Sequence, residues 1–232
     1  MSKRSPRITA LLPMKANSER VPGKNFREFC GKPLFKWMLD TLLEVTEIDR
    51  VIINTDAEHI LAEFGVVDSD RISIRHRKAA LCGDLVSMNL VVGDDVANIR
   101  SDIYLMTHTT NPLVSATTIR EAIKVFLEHK ARVSIDSLFT VNKIQSRFYR
   151  KDGSAINHDP ANLLRTQDLE PWFEENSNIY LFTEESFKKT GARIGKSPMM
   201  FEVPQFESID IDTPDDWDFA NVAARHLMKN KG

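Results

Sequence analysis

Residues 13–33, from Pro13 to Pro33, read PMKANSERVPGKNFREFCGKP. An apolar run, Ile8 to Leu12, precedes them, and an apolar helical pattern starts near Leu34. A strand, a long polar loop and a helix in that order place a nucleotide site at the carboxyl end of a first strand. The loop carries Lys15, Arg20, Lys24, Arg27 and Lys32 against Glu19 and Glu28. A triphosphate would give these cations a partner, because each Lys or Arg can offer it a charge-assisted hydrogen bond. Ser18 and Asn25 add small polar groups, and Gly23 and Gly31 let backbone approach a phosphate closely. On charge alone a second reading stays open, a solvated basic loop.

Outward from this loop, strands and helices alternate. Ile8–Pro13 reads as a buried strand. Leu34, Trp37, Met38, Thr41, Leu42 and Val45 recur at helical spacing. Arg50–Thr55 is a second strand, followed by a helix that Asp56 can cap and Gly65 can end. A short strand lies within Arg71–Arg77, a helix over 85–99, and a strand over Asp102–Thr107. A helix over 116–129 and a strand over Val133–Val141 follow. The alternation predicts one α/β domain over 1–232, a mostly parallel sheet covered on both faces. It breaks over about 142–178, a polar segment bearing Phe148, Tyr149, Trp172 and Phe173, with a hairpin signal at Asp152-Gly153. So long a connection is expected to be a functional insertion or an oligomerisation arm. Regular structure resumes at Asn178–Phe182, then a helix from Glu184 and a strand over Met199–Val203. A last helix runs from Pro214 to Met228, with Thr213 as its N-cap and Pro214 at its first position.

Bulk properties narrow the function. The chain has 232 residues, 42% hydrophobic and 28% charged, enough for one large core. A net charge of −2 and a pI of about 6.3 give no basic field for nucleic acid. No apolar run reaches membrane-spanning length, and residues 1–7 (MSKRSPR) lead into no signal-peptide core, so a cytoplasmic protein without a membrane partner is expected. Cys30 and Cys82 are then free thiols. The six histidines form no zinc pattern.

Three further stretches carry polar chemistry. RKAALCGDLVS, Arg77 to Ser87, joins a strand to a helix. Arg77 can reach a base or phosphate there; equally, Asp84 can be a helix cap and Arg77 a surface charge. THTTNPL, Thr107 to Leu113, follows a strand and can wall a polar pocket, with His108 either structural or functional. In ESIDIDTPDD, Asp210 and Asp212 alternate about Ile211, so an extended backbone puts both carboxylates on one face. That arrangement suits a hard cation shared with phosphates and water; the other reading is favourable charge near the N-terminus of the next helix, a role Asp215 and Asp216 fit better. Neither GxxxxGK[ST] nor GxGxxG is present.

In order, the blocks MKANSERVPGKN with GKPL, RKAALCGDLVS, HTTNPLV, LRTQDLEPWFEENSNIYLF and ESIDIDTPDDWDFA resemble those of the acylneuraminate cytidylyltransferases, from residue 8 to 221. The resemblance implies a three-layer, Rossmann-like nucleotidyltransferase fold with a small dimerisation insertion over about 142–178 that reaches the partner's active site. It implies that CTP and a free α-keto acid sugar give a CMP-sugar and pyrophosphate. Lys24, Arg20 and Asp212 would be catalytic. Lys15, Ser18, Arg20, Lys24, Asn25, Arg77, Asp84 and Ser87 would hold the nucleotide. His108, Arg165, Gln167 and Tyr180 would line the sugar side, and Asp210 and Asp212 would bind Mg²⁺, or Mn²⁺. The family's first-loop Arg stands here as Lys15, its two glycines as Ala16 and Asn17, a glutamine as His108, a terminal Arg as Val114 and a late Gly as Ser177. These departures fall where base or sugar would be read. The competing readings are a Kdo-type 3-deoxy-ulosonate cytidylyltransferase, a glycosyltransferase using Asp210-Ile211-Asp212 as its metal motif, and a non-catalytic nucleotide-sugar binder.

Overall fold

In a computed structural model describing residues 5–83 and 85–229, the apolar run before the basic loop forms β1 (Ile8–Leu11), buried at every position. The loop itself contains a small ribbon, β2 (Glu28–Phe29) with β3 (Lys32–Pro33), and leads into α1 (Leu34–Glu44). Next come β4 (Arg50–Thr55), α2 (Glu58–Glu63), β5 (Ile72–His76), α3 (Met88–Asn98), β6 (Ile103–Met106) and α4 (Ala116–Arg132). The chain ends with β7 (Ser137–Ile144), β8 (Trp172–Phe182), α5 (Glu184–Thr190), β9 (Pro198–Glu202) and α6 (Pro214–Lys229).

Among the described residues, seven strands form one sheet in the order β5-β4-β1-β6-β8-β7-β9. All run parallel except β8, which is antiparallel to both β6 and β7. Period-two alternation divides the core. Ile8 and Ala10 pack with α1 and α4 on one face, whereas Leu11 packs with Val92 and Val96 of α3 and Phe187 of α5 on the other. The expected three-layer α/β architecture is therefore present. A third cluster joins Val21, Phe29 and Leu34 of the basic-loop region to Leu113, Ile211 and Trp217. It packs α6 against the outer side of that loop. The strand order turns at β1, with β4 on one side and β6 on the other, so the loops after β1 and β6 open a crevice at their carboxyl ends.

Several local expectations change. Asp56 does not cap α2; its Oδ1 accepts a hydrogen bond from Ala16 N at 2.7 Å, and the cap position is Ala57. The α3 helix starts at Met88 rather than 85, because Ser87 caps it by accepting from Asn89 N. Asp84 lies outside the described residues. Strand β7 begins at Ser137 because α4 continues to Arg132. The largest change is β8, which begins at Trp172 and not at Asn178. Its first residues are exposed, so no apolar alternation marks them, and backbone pairing from Ile144↔Trp172 to Val141↔Glu175 makes the strand. Residues 145–171 thus cap a projecting β7–β8 ribbon. Phe148 stacks on Trp172 at 4.9 Å, and the Asp152-Gly153 turn is present, with Gly153 at φ 83. Cys30 and Cys82 are unpaired. Among the described residues no helix is long and apolar enough to cross a membrane.

Candidate active site

The crevice is a cleft of about 610 Å³. Lys15, Ser18, Arg20, Lys24 and Asn25 reach it from the β1 loop, and Arg77 from the end of β5. His108, Thr109 and Thr110 come from the β6 loop, and Asp210 and Asp212 from the approach to α6.

The β1 loop is shaped by its own backbone. Gly23 has φ 64, a left-handed conformation that an L side chain adopts only under strain, and its carbonyl accepts from Phe26 N and Arg27 N. This turn delivers Lys24 inward, where it is 7% exposed. Lys24 Nζ donates to Ile211 O at 2.5 Å and meets Asp212 Oδ1 at 3.2 Å. Arg20 Nη2 lies 2.9 Å from Asp212 Oδ2. Two cations from the first loop therefore clamp one carboxylate from the end of the chain. Asn25 ties the walls together: its Nδ2 donates to Lys15 O at 2.8 Å, and its Oδ1 accepts from Thr109 Oγ1 at 2.7 Å.

Asp210 and Asp212 both face the cleft, while Ile211 between them is fully buried in the third core cluster. The alternation expected for the acidic pair is present. Burial pushes the Asp210 carboxyl up from its ordinary value; Asp212 adds to this, and Thr110 and Lys24 oppose it. Asp210 Oδ1 is buried without a hydrogen-bond partner. Among the described residues no three His, Cys, Asp or Glu side chains gather as a metal cluster. An orphaned carboxylate oxygen beside a second carboxylate in a phosphate-sized cleft nevertheless fits a hard cation that keeps water and substrate oxygens in its shell.

At the other end, Arg77 is 5% exposed and held by Asn54, donating from Nε to Oδ1 at 2.9 Å and from Nη2 to the carbonyl at 2.7 Å. Asn54 Nδ2 in turn donates to Asp95 Oδ1 at 2.8 Å. Burial pushes Arg77 down, against the nearby Asp56. Burial also pushes Asp95 up to about 6, against the Asn54 hydrogen bond and Arg75. Arg77 is thus a pre-set floor of the cleft and not a surface charge. Ser87 caps α3 and lies beside the cleft rather than in its lining.

On the β8 side, desolvation, assisted by Arg193, pushes the half-buried His108 down to about 3, so its ring is neutral at physiological pH. Tyr180 is 1% exposed; its hydroxyl donates to Glu175, and burial pushes it up to about 12. It lies under Arg193, whose guanidinium carbon sits 4.1 Å from its ring centre. Arg165 and Gln167 are on the projecting ribbon, outside the cleft lining of their own chain, and Arg165 pairs with Asp168 at 2.6 and 3.0 Å. The reading from sequence missed Arg193, Asn54 and Asp95. Asn54 left a signal, a polar residue in the apolar strand RVIINT; Arg193, in TGARIGK, left none.

The family model described as cytidylyltransferase matches residues 9–209. A CMP-N,N'-diacetyllegionaminic acid synthase of Legionella pneumophila is 29% identical over 91% of this chain and 93% of its own. A pseudaminic acid cytidylyltransferase of Campylobacter jejuni is 22% identical over 91% and 94%. An N-acylneuraminate cytidylyltransferase of Oncorhynchus mykiss is 25% identical over 92% of this chain but only 49% of its own length. Among solved structures, a CMP:2-keto-3-deoxy-manno-octonic acid synthetase with CTP superposes with a TM-score of 0.65 at 16% identity, covering 96% of this chain and 99% of that one.

Proposed function

Since the chain belongs to the cytidylyltransferase family, we propose that it transfers CMP from CTP to a nonulosonic, sialic-acid-like α-keto acid sugar and releases pyrophosphate. The observation that carries this reading is the Lys24–Asp212–Arg20 clamp beside Asp210, with Arg77 held ready across the same cleft.

Arg77 and the adjacent loop bind the cytidine. Lys15, Ser18, Arg20, Lys24 and Asn25 receive the triphosphate, the cations leaving Asp212 in part as phosphate oxygens arrive. The acceptor's anomeric hydroxyl attacks the α-phosphorus. A phosphorus–oxygen bond forms to the sugar, the bond to the bridging oxygen breaks, and both electrons leave with pyrophosphate. The hydroxyl proton passes to the Asp210–Asp212 pair. Lys24 and Arg20 offset the charge gathering on the leaving group, which counts most in a site that excludes water. Asp210 and Asp212 would hold Mg²⁺ or Mn²⁺, which acts as a Lewis acid at the phosphate when bound. His108, neutral, offers the sugar a hydrogen bond without adding charge. Tyr180 supports that wall from below.

The ribbon carries exposed Tyr149, Leu163, Leu164, Trp172 and Phe173. A homodimer that buries these residues would bring Arg165 and Gln167 to a neighbouring cleft. The direct test mixes the enzyme with CTP and each of N-acetylneuraminate, pseudaminic acid, N,N'-diacetyllegionaminic acid and 2-keto-3-deoxy-manno-octonic acid. Pyrophosphate should appear only when both substrates are present, and EDTA should stop it. Release of CDP would instead indicate γ-phosphoryl transfer or hydrolysis, and no product at all would indicate a binder, or a glycosyltransferase, which needs a nucleotide-sugar donor.

A further inference from the structure

Resting on that reading, we propose that Arg193 grips the acceptor's carboxylate from within the same subunit and so selects acids over neutral sugars. Arg193 lies in the cleft wall, just past α5, where Gly191 at φ 68 turns the chain back toward the sheet. Its guanidinium lies over the Tyr180 ring, and its partners on the edge are weak. Nη2 is 3.8 Å from Glu175 Oε1, and Nη1 is 4.0 Å from Met106 Sδ. A guanidinium has five N–H donors in a planar fork. Stacking uses its face and leaves the fork on its edge free for two parallel bonds to a carboxylate.

The other cleft cations belong elsewhere: Lys15, Arg20 and Lys24 lie on the phosphate loop after β1, and Arg77 is at the nucleotide end. Arg20 and Lys24 hold Asp212, and Arg77 holds Asn54. Position completes the assignment. Arg77 follows β5, whereas Arg193 rests on Tyr180 of β8 and Met106 of β6, toward the opposite end of the strand order. With the nucleotide at the Arg77 end, Arg193 is on the acceptor side. Only 19% of its side chain is accessible, so a bound carboxylate would complete a charge that is otherwise poorly paired in a largely desolvated place.

The test is steady-state kinetics on wild type, Arg193→Gln and Arg193→Lys. Each substrate is varied in turn, using the best of the four acids above and its methyl ester, with a melting curve for each protein. Arg193→Gln should raise the KM for the acid roughly ten- to a hundredfold and leave the KM for CTP within about threefold. Wild type should prefer acid to ester; Arg193→Gln should lose that preference, and Arg193→Lys should keep part of it, having charge without the fork. Should Arg193→Gln fail to fold, the acid-over-ester ratio of Arg193→Lys decides, and a ratio equal to wild type overturns the assignment. Equal shifts in both KM values, or an unchanged ester preference, also overturn it and leave the cytidylyl-transfer reading standing. A wild type that yields no pyrophosphate with any of the four acids overturns that reading and this inference together.

Discussion

Lys24 and Arg27 sit three residues apart in the same loop and do different things. Lys24 is buried against Asp212 and Ile211, whereas the Arg27 guanidinium stacks 4.5 Å over Trp217. Lys24→Ala should therefore lower kcat/KM by roughly ten- to a hundredfold, the loss of a charged hydrogen bond. Arg27→Ala should move it less than about threefold and lower the melting temperature slightly, since an exposed cation–π contact contributes about 0.5–1 kcal/mol. Equal kinetic effects would mean that only loop charge matters. Beneath Arg77, Asp95 makes a pH prediction. Its folded value of about 6 lies above the ordinary 3.8, because burial disfavours the charged form. The folded state then holds the proton more tightly than the unfolded chain. The stability this contributes is complete below pH 3.8 and is lost as pH rises through about 6. Denaturant melts of wild type and Asp95→Asn should show their difference moving against wild type by on the order of 1–3 kcal/mol between pH 4 and 7. A difference that does not vary with pH would contradict a titrating buried carboxylate. Lys24, Arg20, Asp210 and Asp212 were legible as candidates because a dense basic loop and an alternating acid pair stand out in the chain, and all four line the cleft. Asn54, Asp95 and Arg193 were not, because their roles exist only through partners tens of residues away.

The elements that shape the cleft are pinned from outside it. Trp217, on α6, is 5% exposed and meets Phe29 edge-on at 5.5 Å, locking the back of the β1 loop. Trp217→Ala should cost about 3–5 kcal/mol of stability, the usual range for a core aromatic. It should also raise the KM for CTP, although Trp217 does not line the cleft. Reduced stability with unchanged nucleotide kinetics would show that the loop keeps its shape without that support. Central strands were readable because burial on both faces makes them continuously apolar, as in β1 and β6. The start of β8 was not, because WFEEN pairs with β7 through backbone in a part of the sheet where both faces meet solvent. Residue type alone does not decide the cap of α3 either. Asp84 and Ser87 are both good caps by residue type, and the bond from Asn89 N identifies Ser87.

For the whole molecule, the sheet presents a cleft at the carboxyl ends of its central strands and a projecting β7–β8 ribbon. Light scattering at micromolar concentration should give a homodimer, with the ribbon aromatics Tyr149, Trp172 and Phe173 protected from solvent relative to a monomer. A monomer at that concentration would remove the route by which Arg165 and Gln167 reach a cleft. Transfer of CMP to an acidic sugar can be followed by ³¹P NMR of the enzyme with CTP, Mg²⁺ and the four candidate acids. The CTP resonances should be replaced by equal amounts of pyrophosphate and a new phosphodiester, only with an acid present, and roughly ten- to a hundredfold more slowly with Lys24→Ala. Loss of CTP to CDP, or pyrophosphate release that needs no acid, would contradict it.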